Sequence, residues 1–153
     1  LYASLAEQDR DDPGRTPIYV GKAVPPGSRK GGLGLDAPPG RVLYDRLDEH
    51  ANSIKSVRGF SLAHFTCRFL VVDDIWIPLG ESLLIEMFCP VWNKALDGFG
   101  NHDPGKGRYE GAIPAWDVVH PGRAWAEKCK SNAKSKPQLI QELTAFLTNR
   151  KRD

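Results

Sequence analysis

Five polar residues spread along the first 93 positions carry the side chains that cutting a phosphodiester requires. They are two tyrosines, an arginine, a glutamate and an asparagine: Tyr2, Tyr19, Arg46, Glu81 and Asn93. A guanidinium can bind a phosphate through two hydrogen bonds and offset the charge that grows in the transition state. A carboxylate is the hard oxygen ligand that Mg²⁺ prefers, and that ion takes only one or two of them. The set therefore predicts metal-dependent phosphodiester chemistry.

Local patterns around these residues predict the elements that must position them. Tyr19 lies in a β-branched and aromatic run that favours a strand. Residues 42–54 carry apolar side chains at helical spacing, so Arg46 and His50, four residues apart, share one face of a helix. An apolar helical pattern covers 78–88, with the glutamate of the set at its start and a proline just after its end.

The remaining patterns predict the fold class. Residues 60–72 favour a further strand, 123–130 a short helix and 137–149 a longer helix with one apolar face. The glycine-rich segments 25–40 and 98–111 favour loops. The order is strand, strand, helix, strand, helix and then helical additions, which predicts an α+β fold with a small sheet backed by helices.

The order and context of these residues resemble the GIY-YIG nuclease family. The shared pattern is a strand with tyrosine, a Tyr-x-Gly strand, a helical arginine, a helical glutamate and then an asparagine. The Arg-x-x-x-His spacing of Arg46 and His50 is most similar to the type II restriction endonucleases of that family. The resemblance covers about residues 1–95 and implies a three-stranded antiparallel sheet flanked by helices. Residues 96–153 would then be a loop and basic helical extension of one nuclease domain, 1–153.

The resemblance also implies a role for each matched residue. Tyr2 would be the general base that takes a proton from the attacking water, and Tyr19 and Arg46 would hold the phosphate. Glu81 would bind the Mg²⁺ ion, and Asn93 would hold the site in its geometry.

Two more residues are candidates for activating the base. A phenol with an ordinary pKa near 10 is about 0.1% ionised at neutral pH, so using it as a base costs about 4 kcal/mol. A neighbouring cation such as Lys22 would lower that cost, and His50 could accept the phenolic proton. We therefore include Lys22 and His50 in the predicted catalytic set.

Plain structural explanations stay open for several of these residues. Glu81 could be a first-turn carboxylate stabilised by the helix dipole, and the Asp73-Asp74 pair offers a rival carboxylate site. Arg46 could be a surface residue paired with an acidic neighbour at position 45, 48 or 49. Tyr19 could be an aromatic residue that only packs within its strand.

Basic and polar residues in the two predicted loops are candidate DNA contacts: Arg29, Lys30, Asn101, His102, Lys106 and Arg108. Residues 120–153 add eight basic and three acidic side chains, for a net charge of +5. Such a tail suits phosphate contact, because lysine and arginine release condensed counterions from nucleic acid. The alternatives are a loop without function and an ordinary solvated helix.

Composition narrows the class of protein. Apolar content of 41% and charged content of 26% are ordinary for a soluble globular protein. No apolar run approaches the roughly 20 residues that span a bilayer, which predicts no membrane partner. Cys67, Cys89 and Cys129 are too widely spaced for a disulfide framework, and the first two lie in apolar patterns that predict buried thiols. We therefore expect a cytoplasmic protein, and the resemblance to restriction endonucleases implies a bacterial host.

Together these observations predict a Mg²⁺-dependent, site-specific endonuclease of duplex DNA. One active site cuts one strand, so a symmetric cut implies a homodimer on a palindromic site. A repair or homing nuclease of the same family is one alternative. A non-catalytic nucleic-acid-binding module is the other.

Overall fold

Three short strands form one antiparallel sheet in the computed structural model, which describes residues 2–5, 16–25, 40–105 and 109–150. The strands are β1 (Tyr2–Leu5), β2 (Tyr19–Val20) and β3 (Phe65–Arg68). β1 lies in the middle, so the order is β2-β1-β3. Ala3 of β1 pairs with Tyr19 on one side and with Cys67 on the other.

Five α-helices accompany the sheet in the described part of the chain. They are α1 (Val42–Ser56), α2 (Ile77–Phe88), α3 (Val91–Lys94), α4 (Ala115–Val119) and α5 (Lys136–Arg150). The helices α1, α2 and α5 confirm those predicted from apolar spacing, to within two residues at each end. Helices combined with a few strands confirm the predicted α+β class.

The predicted strand over 60–72 is too long. A 3₁₀ turn occupies Leu62–His64, β3 ends at Arg68, and residues 69–72 have no regular structure. The described pairing of β3 with β1 runs from Phe65 to Arg68. An apolar run does not by itself make a strand, and the side chains of residues 69–72 are exposed, that of Val71 to 79%.

The C-terminal half differs from its predictions in three short elements. The expected helix over 123–130 is only a 3₁₀ turn at Ala126–Lys128. Helices α3 and α4 were not predicted, because four and five residues are too few to show a helical period. A proline directly precedes each of them and sets its start.

The core combines residues from both sides of position 95. Trp92 of α3 contacts the rings of Phe99 and Trp116, with centroids 4.6 and 5.6 Å apart. Phe99 and Trp116 are almost fully buried, as are Val20 before them and Leu139 after them. Residues 96–153 are therefore packed into the same core as the part that carries the family resemblance.

Gly122 brings the segment after α4 against the end of α1. Its φ of +151° is rarely adopted by other residues, and a Cβ there would overlap the carbonyl oxygen of Ser56. Only glycine allows this approach of the two backbones.

The predicted burial of the Cys67 thiol is wrong, because Cys67 is exposed. Its strand β3 is an edge strand, and the residues from 66 to 68 are all exposed. Cys89 and Cys129 are half-buried, and all three thiols are free. Among the described residues, no helix combines the length and the apolar character needed to cross a membrane.

Candidate active site

A cleft of about 830 Å³ gathers many of the residues singled out from the sequence. Lys22 follows β2, Arg46 comes from α1 and Glu81 from α2, and the side chains of all three line the cleft. Asn101 and His102, both exposed, lie on its wall in the segment before α4. Residues up to 59 positions apart in the chain, such as Lys22 and Glu81, are thus brought into direct contact.

Arg46 is held from two directions. Its Nη1 donates a hydrogen bond to Glu49 Oε2 at 2.7 Å, and its Nη2 donates one to the carbonyl oxygen of Gly100, also at 2.7 Å. The ion pair is the structural alternative considered from the sequence, and it is present. The contact with the Gly100 carbonyl has a separate effect, because it orients the guanidinium toward the cleft. The Arg46 side chain remains 20% exposed there.

Glu81 forms an ion pair with Lys22, in which Lys22 Nζ lies 2.6 Å from Glu81 Oε2. The expectation that Glu81 opens its helix is wrong, because α2 begins at Ile77 and Glu81 is its fifth residue. The first turn of α2 holds no acidic residue, so the helix dipole does not explain this carboxylate. The rival Asp73-Asp74 pair lies at a 3₁₀ turn outside the residues that line the cleft.

The donor set at Glu81 fits a Mg²⁺ ion with few protein ligands. Within the described residues, no group of three or more histidine, cysteine, aspartate or glutamate side chains is placed so that it could hold a metal ion. Mg²⁺ is commonly bound by one or two carboxylates, with water and substrate phosphate oxygens as its other ligands. Glu81 would hold such an ion, and this carboxylate lies beside Lys22, which contacts its Oε2.

Two glycines confine the phenol of Tyr19. A Cβ on Gly21 would lie 2.6 Å from the Tyr19 hydroxyl oxygen, and one on Gly100 would overlap the same oxygen. The glycine after the strand therefore makes room for the tyrosine ring of that strand. Burial raises the pKa of Tyr19 above its ordinary value of 10.0, although Arg46 acts in the opposite direction. The phenol consequently stays protonated and can donate a hydrogen bond.

His50 is buried beside these residues, one turn along α1 from Arg46. Its ring stacks on Phe99 at 4.8 Å between centroids and meets Tyr19 edge-on at 5.2 Å. Burial and, after it, the charges of Arg46 and Arg123 lower the pKa of His50 to about 3. The imidazole is therefore neutral near pH 7, and its Nε2 has no hydrogen-bond partner among the described residues.

Asn93 fastens β2 to α3. Its Oδ1 accepts a hydrogen bond from the Val20 backbone nitrogen, and its Nδ2 donates one to the Val20 carbonyl, both at 2.8 Å. The backbone nitrogen of Trp92 also donates to the Ile18 carbonyl at 2.9 Å. Asn93 thus holds the strand that carries Tyr19 in place, since it hydrogen-bonds to both the backbone nitrogen and the carbonyl oxygen of Val20, the residue after Tyr19.

Several sequence candidates cannot be placed in the site. Tyr2 begins β1, where its backbone pairs with Val20 and Arg68, but its side chain lies outside the described part. Four candidate DNA contacts also fall outside the described residues: Arg29, Lys30, Lys106 and Arg108.

One arginine of the basic C-terminal region does not belong to a DNA-facing surface. Arg123 is only 5% exposed, and it is paired with the buried Asp117. Sequence reasoning predicted the loop over 98–111 but missed the pairing of Arg123 with Asp117 and its contact with that loop. The sequence gives only a weak signal for these two residues. Asp117 directly follows one tryptophan, and Arg123 lies two residues before another.

Comparison with known families agrees with this geometry. A small antiparallel sheet, a helical arginine and a helical carboxylate at one cleft are what a nuclease of the GIY-YIG class requires. The family model described as Eco29kI GIY-YIG domain matches residues 1–147, so the chain belongs to this family, which is associated with type II restriction endonucleases. The match extends well beyond residue 95. Membership makes the chain a nuclease with DNA as its substrate class. A search of curated proteins found no match.

The confinement of Tyr19 can be tested at its two glycines. We expect Gly100→Ala and Gly21→Ala each to slow single-turnover nicking of supercoiled plasmid about a hundredfold, because a displacement near 1 Å in an active site has that effect. The matched control is Gly40→Ala, whose Cβ would meet only Val42 Cγ2 at an ordinary 3.7 Å. Wild-type rates for both cleft variants would show that the position of the phenol does not matter.

Proposed function

We propose that the protein is a Mg²⁺-dependent, type II site-specific deoxyribonuclease that hydrolyses phosphodiester bonds of duplex DNA. The observation that carries the proposal is the cleft in which Arg46, Glu81 and Lys22 meet beside the protonated phenol of Tyr19. Binding alone would need no carboxylate facing a phosphate, which speaks against a non-catalytic module. The restriction-associated family favours this reading over a repair or homing nuclease.

The phosphate would be held by Arg46 and Tyr19. Arg46 presents its guanidinium at the cleft, and a phosphate oxygen would replace the exposed Glu49 carboxylate on Nη1 while Gly100 keeps Nη2 in place. Exposed ion pairs of this kind contribute only about 0–1 kcal/mol, so the anionic backbone of DNA can displace one. Tyr19 would donate its hydroxyl hydrogen to the same phosphate.

Tyr2 would act on the attacking water, and Glu81 would act on the leaving group through the metal ion. Tyr2, ionised beforehand to the phenolate, would take a proton from the attacking water. The phenol formed in this step would donate a hydrogen bond to the neutral His50, whose pKa of about 3 argues against the prediction that it accepts the phenolic proton itself. Lys22, held at Glu81, would supply positive charge on this side of the cleft. Glu81 would hold the Mg²⁺ ion, which offsets negative charge on the leaving oxygen when bound. Asn93 would keep Tyr19 in place through the backbone of β2.

Contacts to the rest of the DNA would come from the cleft wall and the loops. Asn101 and His102 are exposed beside the phosphate site, where base edges or neighbouring phosphates could reach them. Arg29, Lys30, Lys106 and Arg108 complete the proposed DNA-binding set. Each lysine or arginine that meets only phosphate should lower the slope of log affinity against log salt by about one unit when it is removed.

The metal role is tested by Glu81→Gln. We expect cleavage of supercoiled plasmid in Mg²⁺ to fall at least about a hundredfold, because losing a metal ligand costs several kcal/mol of transition-state stabilisation. DNA binding in Ca²⁺, measured by gel shift, should stay equal or tighten, since a negative charge facing phosphate is removed. The matched control is Glu86→Gln on the same helix, where an exposed glutamate pairs with Lys94 at 2.8 Å. Cleavage by Glu81→Gln within about tenfold of wild type would contradict the assignment.

The role of Tyr2 as base is tested by Tyr2→Phe, which keeps the ring and removes the ionisable oxygen. Loss of general-base catalysis should slow the chemical step by about 10²–10⁴-fold, with little change in DNA affinity. Single-turnover rates from pH 6 to 10 would be compared with those of Tyr44→Phe, an exposed tyrosine on α1. A near-normal rate for Tyr2→Phe would rule out the phenol as base.

We further propose a homodimer that acts on a palindromic site, as a symmetric cut of both strands requires two active sites. The outer face of α2, together with the turn before it, supports this: its apolar side chains are each more than half exposed. They are Ile75, Trp76, Leu79, Leu83 and Met87. Large exposed apolar patches mark interaction surfaces, and they form the centre of stable dimer interfaces.

The dimer proposal is tested by placing a charge in that face. We expect Leu83→Lys to be monomeric in sedimentation velocity at concentrations where the wild type is dimeric. We also expect it to nick plasmid without making double-strand breaks. Ile140→Lys, at an exposed apolar position on α5, is the control and should remain dimeric. A monomeric wild type, or a dimeric Leu83→Lys, would contradict the proposed face.

A further inference from the structure

Four consecutive backbone carbonyls in the loop at 98–101 accept hydrogen bonds from arginine side chains. Arg123 donates to the carbonyls of Gly98, Phe99 and Asn101 at 2.9, 3.1 and 2.8 Å. Arg46 donates to the remaining one, that of Gly100, at 2.7 Å. The contact to the Phe99 carbonyl is buried, and the other three are part-buried. The loop belongs to no strand or helix, and its own backbone adds one hydrogen bond, from the Asn101 nitrogen to the Gly98 carbonyl at 3.0 Å. Two guanidinium groups therefore supply most of the hydrogen bonds that place its carbonyls.

The guanidinium of Arg123 is itself held on every side. Its Nε donates to Asp117 Oδ1 at 2.6 Å and its Nη2 to Asp117 Oδ2, so with the three carbonyls all five of its N–H groups are used. The rings of Trp116 and Trp125 both lie 4.7 Å from its Cζ atom. The side chains of Arg123 and Asp117 are only 4% and 1% exposed. An arginine placed in this way cannot serve as a DNA contact.

The same loop forms the wall against which the site residues rest. The carbonyl of Gly100 orients Arg46, and the missing side chain of Gly100 leaves room for the Tyr19 hydroxyl. The ring of Phe99 stacks on His50. A shift of this loop would therefore move two proposed phosphate contacts and the buried histidine together.

We propose that Arg123 is a positioning residue for DNA cleavage: paired with Asp117, it fixes the 98–101 loop, and the loop sets the orientation of Arg46 and Tyr19. The proposal rests on the phosphate-binding role of Arg46 given under the proposed function. Lysine cannot replace Arg123, because one ammonium nitrogen with three N–H groups cannot reach acceptors arranged around a planar fork.

The experiment is a double-mutant cycle on single-turnover nicking of supercoiled plasmid in MgCl₂. The variants are Arg123→Lys, Arg46→Lys and the double variant. We expect Arg123→Lys to be slower by about 10–100-fold, since displaced catalytic groups have effects of that size. The gel-shift affinity of Arg123→Lys for plasmid fragments in CaCl₂ should stay within about threefold of wild type. The double variant should be no more than about threefold slower than the slower single variant, because Arg123 would act on cleavage through the orientation of Arg46.

A loss of stability alone would give a different pattern. Leu139→Ala is the control, because this buried residue of α5 packs in the core and has no place in the loop or the cleft. We expect it to lower the melting temperature at least as much as Arg123→Lys does, yet to cut at the wild-type rate below that temperature. Asp117→Asn removes the negative charge that pairs with Arg123 and should reproduce the slow cleavage. This variant replaces Arg123→Lys in the test if Arg123→Lys does not fold.

The outcomes separate the two proposals. If Arg46→Lys is slow while Arg123→Lys and Asp117→Asn cut within about twofold of wild type, Arg123 does not position the site and the proposed function stands. If the rate loss of the double variant equals the product of the two single losses, the positioning role of Arg123 is overturned and the proposed function again stands. If Arg46→Lys cuts normally, the phosphate role of Arg46 fails, and the inference that depends on it fails too.

Discussion

The buried Arg123–Asp117 pair is the contact on which the shape of the active site depends. An unpaired buried carbonyl costs about 1–3 kcal/mol, and Arg123 donates to three carbonyls of the loop at 98–101, to that of Phe99 in a buried contact and to the other two in part-buried ones. Removing one partner of a buried ion pair costs about 3–5 kcal/mol, so the pair and the loop persist together. The wall beside Arg46 is thus maintained by residues that lie after position 115 in the chain.

The cleft itself keeps its cations paired before any DNA arrives. Lys22 is bound to Glu81 and Arg46 to Glu49, and each of these four side chains is at least one-fifth exposed. Pairs in such solvent contact are weak, so the polyanionic backbone of DNA can compete for the cations. The carboxylate of Glu81, released from part of its contact with Lys22, would then be available to a metal ion.

The long elements of the fold were predictable from sequence, and the short ones were not. Helix α1 shows apolar residues at helical spacing over several turns, so its bounds and the shared face of Arg46 and His50 could be predicted. The strand β3 ends at Arg68, short of its apolar run, because apolar character alone does not fix how far a strand pairs with its neighbour. Glu81 lies in the second turn of α2 because the helix begins before Pro78, a residue that sequence reasoning took as the start.

The amino-acid sequence by itself determined the family and the residues that can do chemistry, because side-chain type and order along the chain are what a motif consists of. Only the tertiary structure decided which of them meet. Lys22 pairs with Glu81 across 59 positions, and Arg46 contacts Gly100 across 54. Arg123 looked like one more basic residue of a charged tail, yet it is buried at the base of the site. Contacts of this kind depend on how the helices pack, and no local period or propensity in the sequence records them.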